Sequence, residues 1–208
     1  MVSTTQAPSV GQPMTAEEFD EFLWQLDDER CINFELVGGK LKEMAEPSVE
    51  HQQLSNKLSF LLQTHIAQVG LDYEVLQQTI CQFSASNKRR PDLIVVRTED
   101  WLATPGPQAI LRQLPLLAVE VISTNWKDDY IEKFALYQNL GIQEYWTIDS
   151  GRAKVRNPEI RVPTISVCIL VNGKYQVEQY TGRQTIRSRL FPNFQLSIAQ
   201  LFKVARIL

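Results

Sequence analysis

No uninterrupted apolar stretch in this chain approaches the ~18 residues of a membrane-spanning helix, which excludes a bilayer-embedded helix. Cysteine is scarce and odd in number: Cys31, Cys81 and Cys168 lie far apart in apolar, strand-like settings. That pattern argues against a disulfide framework or a zinc cluster, and for reduced core thiols in a cytoplasmic protein. The two histidines, His51 and His65, have no short ligand spacing, so they do not make a zinc site. A phosphate-cradling glycine loop is missing too, since Gly38-Gly39 is explained as a hairpin turn. Internal repeats and low-complexity tracts are absent. Residues 1–13 lack a charged start and an apolar core, and read as a flexible lead rather than a signal peptide. A cationic surplus is also missing: the net charge of −3 does not advertise nucleic-acid binding.

What is present is globular composition, 44% apolar and 22% charged, on 208 residues, enough for a single domain over 14–208 with a real core. Charge is unevenly spread. Residues 16–35 are strongly acidic, whereas 151–208 set Arg152, Lys154, Arg156, Arg161, Lys174 and further cations against Glu159 and Glu178. A basic C-terminal part could follow a phosphate backbone; scattered solvated charges on a sheet explain it equally well.

Thr15-Ala16-Glu17-Glu18 is a capping box, and Phe19, Phe22, Leu23 and Leu26 follow at helical spacing, predicting a helix over 16–27. Residues 32–37 and 40–44 flank the Gly38-Gly39 turn as a hairpin. Ser48 caps a longer helix carrying Leu54, Leu58, Leu61, Leu62, Ile66 and Val69, which Gly70 ends. Residues 73–83 read as one strand and 84–90 as a polar loop, and Thr104-Pro105-Gly106-Pro107 marks a surface excursion. A helix over 128–140, a strand over 144–149, a hairpin about Asn172-Gly173 and a last helix capped by Ser197 complete the order. The fold class is therefore mixed α/β, a mixed sheet with a crossover helix, rather than an uninterrupted βαβα series.

Two apolar runs carry the chemistry. Pro91-Asp92-Leu93-Ile94-Val95-Val96 has an acid at its entrance, and Leu116-Leu117-Ala118-Val119-Glu120-Val121-Ile122 has one inside. Such runs are buried strands, and a carboxylate there is costly unless paired, protonated or bound to a cation. Two acids on consecutive strands suggest a shared metal. Mg²⁺ takes oxygen ligands and keeps several waters, so two carboxylates, with the Val121 carbonyl as a third oxygen, suffice. A metal held there would supply a polarised phosphoryl oxygen and an activated water.

These residues resemble the PD-(D/E)XK nucleases. More closely, Glu120-Val121-Ile122-Ser123, Lys133, Tyr137 and Gly141-Ile142-Gln143-Glu144-Tyr145-Trp146-Thr147-Ile148-Asp149 resemble the Uma-type restriction endonucleases, a large bacterial family of mostly uncharacterised proteins. Glu35, His51 and the tail Phe191-Pro192-Asn193-Phe194 look similar as well, so the resemblance runs from about residue 14 onward. It implies a restriction-endonuclease-like core, a mixed sheet flanked by helices, with Mg²⁺ (Mn²⁺ able to substitute) on Asp92, Glu120 and Val121. The implied partner is nucleic acid, DNA in the first place, and duplex cleavage would suit a homodimer. One departure stands out: the superfamily's lysine sits two residues after the second acid, where this chain has Ile122, and the resemblance moves that role to Lys133.

Each residue also has a plainer reading. Asp92 could simply start a strand beside Arg89 or Arg90, and Glu120 could form a buried ion pair. Lys133 could make a surface pair with Asp129, and Lys127 competes for its role. Glu35 could face solvent from its hairpin, and His51 could be a solvated first-turn residue. The reading carried forward is a Mg²⁺-dependent nuclease with Asp92, Glu120, Lys133, Glu35 and His51 at the site. Lys88, Arg89 and Arg90 would hold the backbone. A catalytically inactive nucleic-acid-binding or interaction module is the alternative, and a small-molecule phosphoesterase is the third.

Overall fold

The first helix, α1 (Ala16–Trp24), starts at the capping box: the Glu18 N–H donates to Thr15 Oγ1 at 3.1 Å and the Thr15 N–H to Glu18 Oε2 at 2.8 Å. In this computed structural model, residues 8–26, 34–105, 109–152 and 157–204 are described. Cys31, the start of the hairpin strand at Ile32, Gly106-Pro107, Lys154 and Arg156 lie outside them, as does the expected end of the first helix at Asp27. The hairpin β1 (Phe34–Val37) and β2 (Lys40–Glu43) turns at Gly38 and Gly39 with φ of +57° and +72°. Both values are left-handed, as a two-residue hairpin turn requires. Residues 11–14 bond to this hairpin, through Gly11 N–H to the Leu41 carbonyl and Met14 N–H to that of Gly39. The end of the polar lead is therefore attached to the sheet.

Helix α2 (Val49–Val69) begins at Ser48, whose Oγ accepts the His51 N–H at 3.2 Å, and ends at Gly70 with φ +73°. Then follow β3 (Tyr73–Gln77), β4 (Ile80–Ser84), β5 (Asn87–Arg89), β6 (Leu93–Arg97), α3 (Thr98–Leu102), β7 (Ile110–Leu111) and β8 (Leu117–Val121). Helix α4 (128–140) opens with a π-helical stretch, Asp128–Lys133, and continues as a regular α-helix, Phe134–Leu140. Strands β9 (Glu144–Asp149), β10 (Thr164–Val171) and β11 (Lys174–Thr181) and helix α5 (Ile198–Val204) finish the chain.

Two mixed sheets result, ordered β2-β1-β5-β4-β7 and β11-β10-β9-β8-β6-β3. In the second, β8 and β9 run parallel, joined through α4, and the remaining pairs are antiparallel. One face of this sheet (Val95, Val119, Val121, Trp146) packs on Leu54, Leu58 and Leu62 of α2 and Leu201 and Phe202 of α5. Each such leucine contributes roughly 1.5–3 kcal/mol by leaving water. On the other face Ala118, Tyr145 and Cys168 meet Tyr137 and Ile142, while Ile94 and Val96 meet Cys81 and Leu111 of the first sheet. Side chains alternate along a strand, so Val119 and Val121 take the first face and Glu120 the second.

Two expectations change. The single strand over 73–83 is divided: Gln78 adopts φ +51°, and β3 joins one sheet while β4 joins the other. No glycine or proline marks this corner. It is held by tertiary contacts, with Arg90 donating to the Gln78 carbonyl at 2.6 Å and the Gln78 side chain donating to Asp92 Oδ1 at 3.2 Å. The polar loop over 84–90 is instead a bulged hairpin, β4 pairing with β5. Charge in β5 hid the strand from a hydrophobic pattern, because its cations are neutralised inside the protein.

Candidate active site

Register brings the two strand acids together. Leu93 stands opposite Val119 in the antiparallel β6–β8 pair, so the next step outward sets Asp92 beside Glu120. Asp92 Oδ2 accepts the Val121 N–H at 2.7 Å and His51 Nε2 lies 2.9 Å from the same oxygen. His51 arrives from the first turn of α2, positioned by the Ser48 cap. Glu120 is met from α4: Lys133 donates to its Oε2 at 2.7 Å and the Tyr137 hydroxyl to its Oε1 at 2.9 Å. Lys133 also reaches Asp129 at 3.1 Å. Glu35, from β1, accepts the Arg90 N–H at 2.7 Å. Glu35, His51, Asp92, Glu120, Val121, Asp129 and Lys133 line one cleft of about 610 Å³, where the two sheets and the starts of α2 and α4 converge.

The cleft interior carries more negative than positive charge. Burial pushes the Glu120 carboxyl well above the usual carboxylate range; Lys133 pulls it back, and Asp92 and Asp129 push it up again. Asp129 is raised to about 6, by burial first and by Asp92 against the pull of Lys133. For Lys133, burial works against the ammonium form, but Glu120 and Asp129 outweigh it and raise the pKa. Asp128 behaves oppositely. Burial would raise it, yet Arg89, Lys133 and Lys42 together hold it below the usual range.

Asp92, Glu120, Lys133, Glu35 and His51 thus line one cleft. Lys88, Arg89 and Arg90 are not presented to a ligand: they are 1%, 2% and 5% exposed. Lys88 pairs with Asp20 and the Ala16 carbonyl, Arg89 with Asp128 and Glu35, and Arg90 donates to the carbonyls of Phe34 and Gln78. The expectation that they hold a nucleic-acid backbone does not fit this placement, because their charges are used internally. Lys127 is exposed and sits over the Trp126 ring, away from the cleft lining. His65 packs against Phe191 and Phe194, and Tyr145 and Trp146 are core residues.

The sequence reading offers Asp129 as the surface partner of Lys133, Asp128 as the start of the helix, and Tyr137 as an apolar helix position that shares in the family resemblance without a role. A signal was available: Asp129, Lys133 and Tyr137 recur at intervals of four, the spacing of one helix face. Since Glu120 is buried, that face holds its donors. Lys42 and Gln78 carried no such signal, because both reach the cleft only through tertiary geometry.

The sequence model of a family described as "Uma2: Putative restriction endonuclease" matches residues 16–199. A crystal structure from Anabaena variabilis, described as "a putative nuclease belonging to DUF820", superposes with a TM-score of 0.69 at 17% identity. The match covers 93% of this chain and 99% of that one, and at this identity it speaks for the fold. No curated protein matches the chain.

Proposed function

Since the chain belongs to the Uma2 family, we propose that it is a divalent-metal-dependent nuclease, hydrolysing phosphodiester bonds of DNA in this cleft. The observation that supports this reading most is the convergence of Asp92 and Glu120, from adjacent strands, on a cleft that also contains Lys133. Among the described residues no group of three His, Cys, Asp or Glu side chains forms a ready cage. Mg²⁺ does not need one, because two carboxylates and several waters complete its shell. The donor set is hard oxygen throughout, and Asp92, Glu120 and Asp129 outnumber the one buried ammonium, so the chemistry of the site fits a small dication. Asp92, Glu120 and the Val121 carbonyl would hold it, and when bound it would supply Lewis acidity and a more acidic water.

The chain's own residues do the rest. Lys133 is held as an ammonium between Glu120 and Asp129, placed to steady negative charge on a phosphoryl group. His51 fixes the Asp92 carboxylate together with the Val121 N–H and Gln78, so its orientation is set before substrate arrives. Tyr137 does the same for Glu120. Glu35 fixes the backbone at Arg90, two residues before Asp92, and so places the start of β6.

The test is nicking of supercoiled plasmid in Mg²⁺ and in Mn²⁺, set beside an Asp92→Ala/Glu120→Ala variant whose fold is checked by circular dichroism. Metal-dependent nicking by the wild type alone is expected. No cleavage by the wild type with either metal would instead favour the inactive nucleic-acid-binding module.

A further inference from the structure

Cations are few in this cleft. Among the described lining residues they are Lys42, Lys133 and, when protonated, His51. The Lys133 side chain is 5% exposed and committed to two carboxylates, and His51 is turned to Asp92. Lys42, projecting from the second strand of the first hairpin, has a side chain 32% exposed. Its Nζ lies 2.7 Å from Asp128 Oδ2, while Arg89 holds the other oxygen of Asp128 from the interior. An ammonium has three donors, so one contact to Asp128 leaves others able to meet a ligand. The surrounding lining, by contrast, carries Glu43, Glu46 and Glu50, which repel a polyanion. A phosphate chain entering the cleft therefore finds attraction at one solvent-reachable point.

Building on the nuclease reading, we propose that Lys42 is the substrate-phosphate contact of this cleft, with Asp128 as the residue that positions it. Asp128 is itself fixed by the buried Arg89, so the ammonium is held by an arm rooted in the core rather than by a flexible side chain alone. This is a different role from that of Lys133, which is buried on Glu120. It also replaces the cationic run 88–90, whose charges are consumed inside the fold.

The experiment is fluorescence anisotropy of a labelled DNA oligonucleotide, single-stranded and duplex, in Ca²⁺ over a range of salt, with oligonucleotide integrity checked on a gel. Lys42→Gln is expected to lower the slope of log affinity against log salt by about 0.9 for duplex or about 0.7 for single strand. That corresponds to roughly eightfold weaker binding of duplex, or about fivefold of single strand, at about 0.1 M salt. Lys42→Arg, which keeps the charge, retains the wild-type slope. A purely structural Lys42 would not change the slope, and an unchanged slope in Lys42→Gln overturns the proposal while leaving the nuclease reading in place. Should Lys42→Gln not fold, the wild-type protein decides: bound oligonucleotide should protect Lys42 from acetylation, read by mass spectrometry, and equal labelling with and without DNA overturns the proposal. If the wild type binds neither oligonucleotide and nicks no plasmid, both readings fall together.

Discussion

Replacing Lys133 by Met leaves the Glu120 carboxylate in the interior with the Tyr137 hydroxyl as donor and no adjoining ammonium. Breaking a buried pair from one side typically costs roughly 3–5 kcal/mol, whereas removing both charges costs much less. Urea unfolding should therefore show a large loss for Lys133→Met and partial recovery in Glu120→Gln/Lys133→Met. Asp129 gives a second residue-scale expectation. Its folded pKa, about 6, lies above the unfolded value of about 3.9. Its contribution is thus fully present below about pH 4 and lost as pH rises through about 6. In chelating buffer, the melting temperature of the wild type should fall across that window more than that of Asp129→Asn. Below it the sign reverses for Asp128, whose depressed pKa makes its contribution disappear as pH falls. Identical profiles for wild type and Asp129→Asn between pH 4 and 6 would refute the assignment.

Elements that announce themselves by local chemistry were legible in the sequence. The Thr15 capping box, the Ser48 cap with Gly70 as terminator, and the left-handed Asn172-Gly173 turn need only neighbours along the chain. So did the strand acids, because an acid in an apolar run has few ways to be stable. The corner at Gln78 was hidden, since only Arg90 and Asp92, distant in sequence, impose its backbone. The fate of Lys88, Arg89 and Arg90 was hidden for the same reason: Asp20 is the countercharge of Lys88, Asp128 and Glu35 those of Arg89, and the Arg90 side chain donates to the carbonyls of Phe34 and Gln78. The π-helical opening of α4 was equally silent; its wide turn buries Asp128, Asp129 and Lys133 while Ile131 is 57% exposed.

Glu144, at the start of β9, shows that a buried acid need not belong to the cleft. It accepts from the Trp146 indole N–H, the Ser188 hydroxyl and the N–H groups of Arg189 and Leu190, which ties the segment before α5 to the sheet. Glu144→Ala should cost roughly 2–4 kcal/mol by leaving these donors unpaired. Hydrogen exchange at the Arg189 and Leu190 amides should accelerate, and protection equal to wild type would contradict the anchoring role.

At the scale of the molecule, the cleft is a junction. Glu35 and Lys42 come from the first sheet, Asp92 and Glu120 from the second, His51 from α2 and Lys133 from α4. A dication held at this junction by Asp92 and Glu120 would stabilise the folded chain by mass action. At a hundredfold excess over its dissociation constant Mg²⁺ should add about 2.7 kcal/mol. For a domain of this size that is a rise of roughly 5–10 °C in melting temperature. The Asp92→Ala/Glu120→Ala variant should show no such rise, and an equal rise in both proteins would place the ion elsewhere.

The ion pair between Lys42 and Asp128 spans 86 positions of the chain, and the hydrogen bond from Arg90 to Glu35 spans 55. Contacts of such separation form late, after local helices and hairpins. A ribosome that has synthesised the chain as far as Glu120 has incorporated both strand acids but has yet to add Asp128 and Lys133. The growing polypeptide therefore carries Asp92 and Glu120 before the helix that completes their cleft, and the cleft can assemble only once translation has passed α4 and the sheets have closed around it.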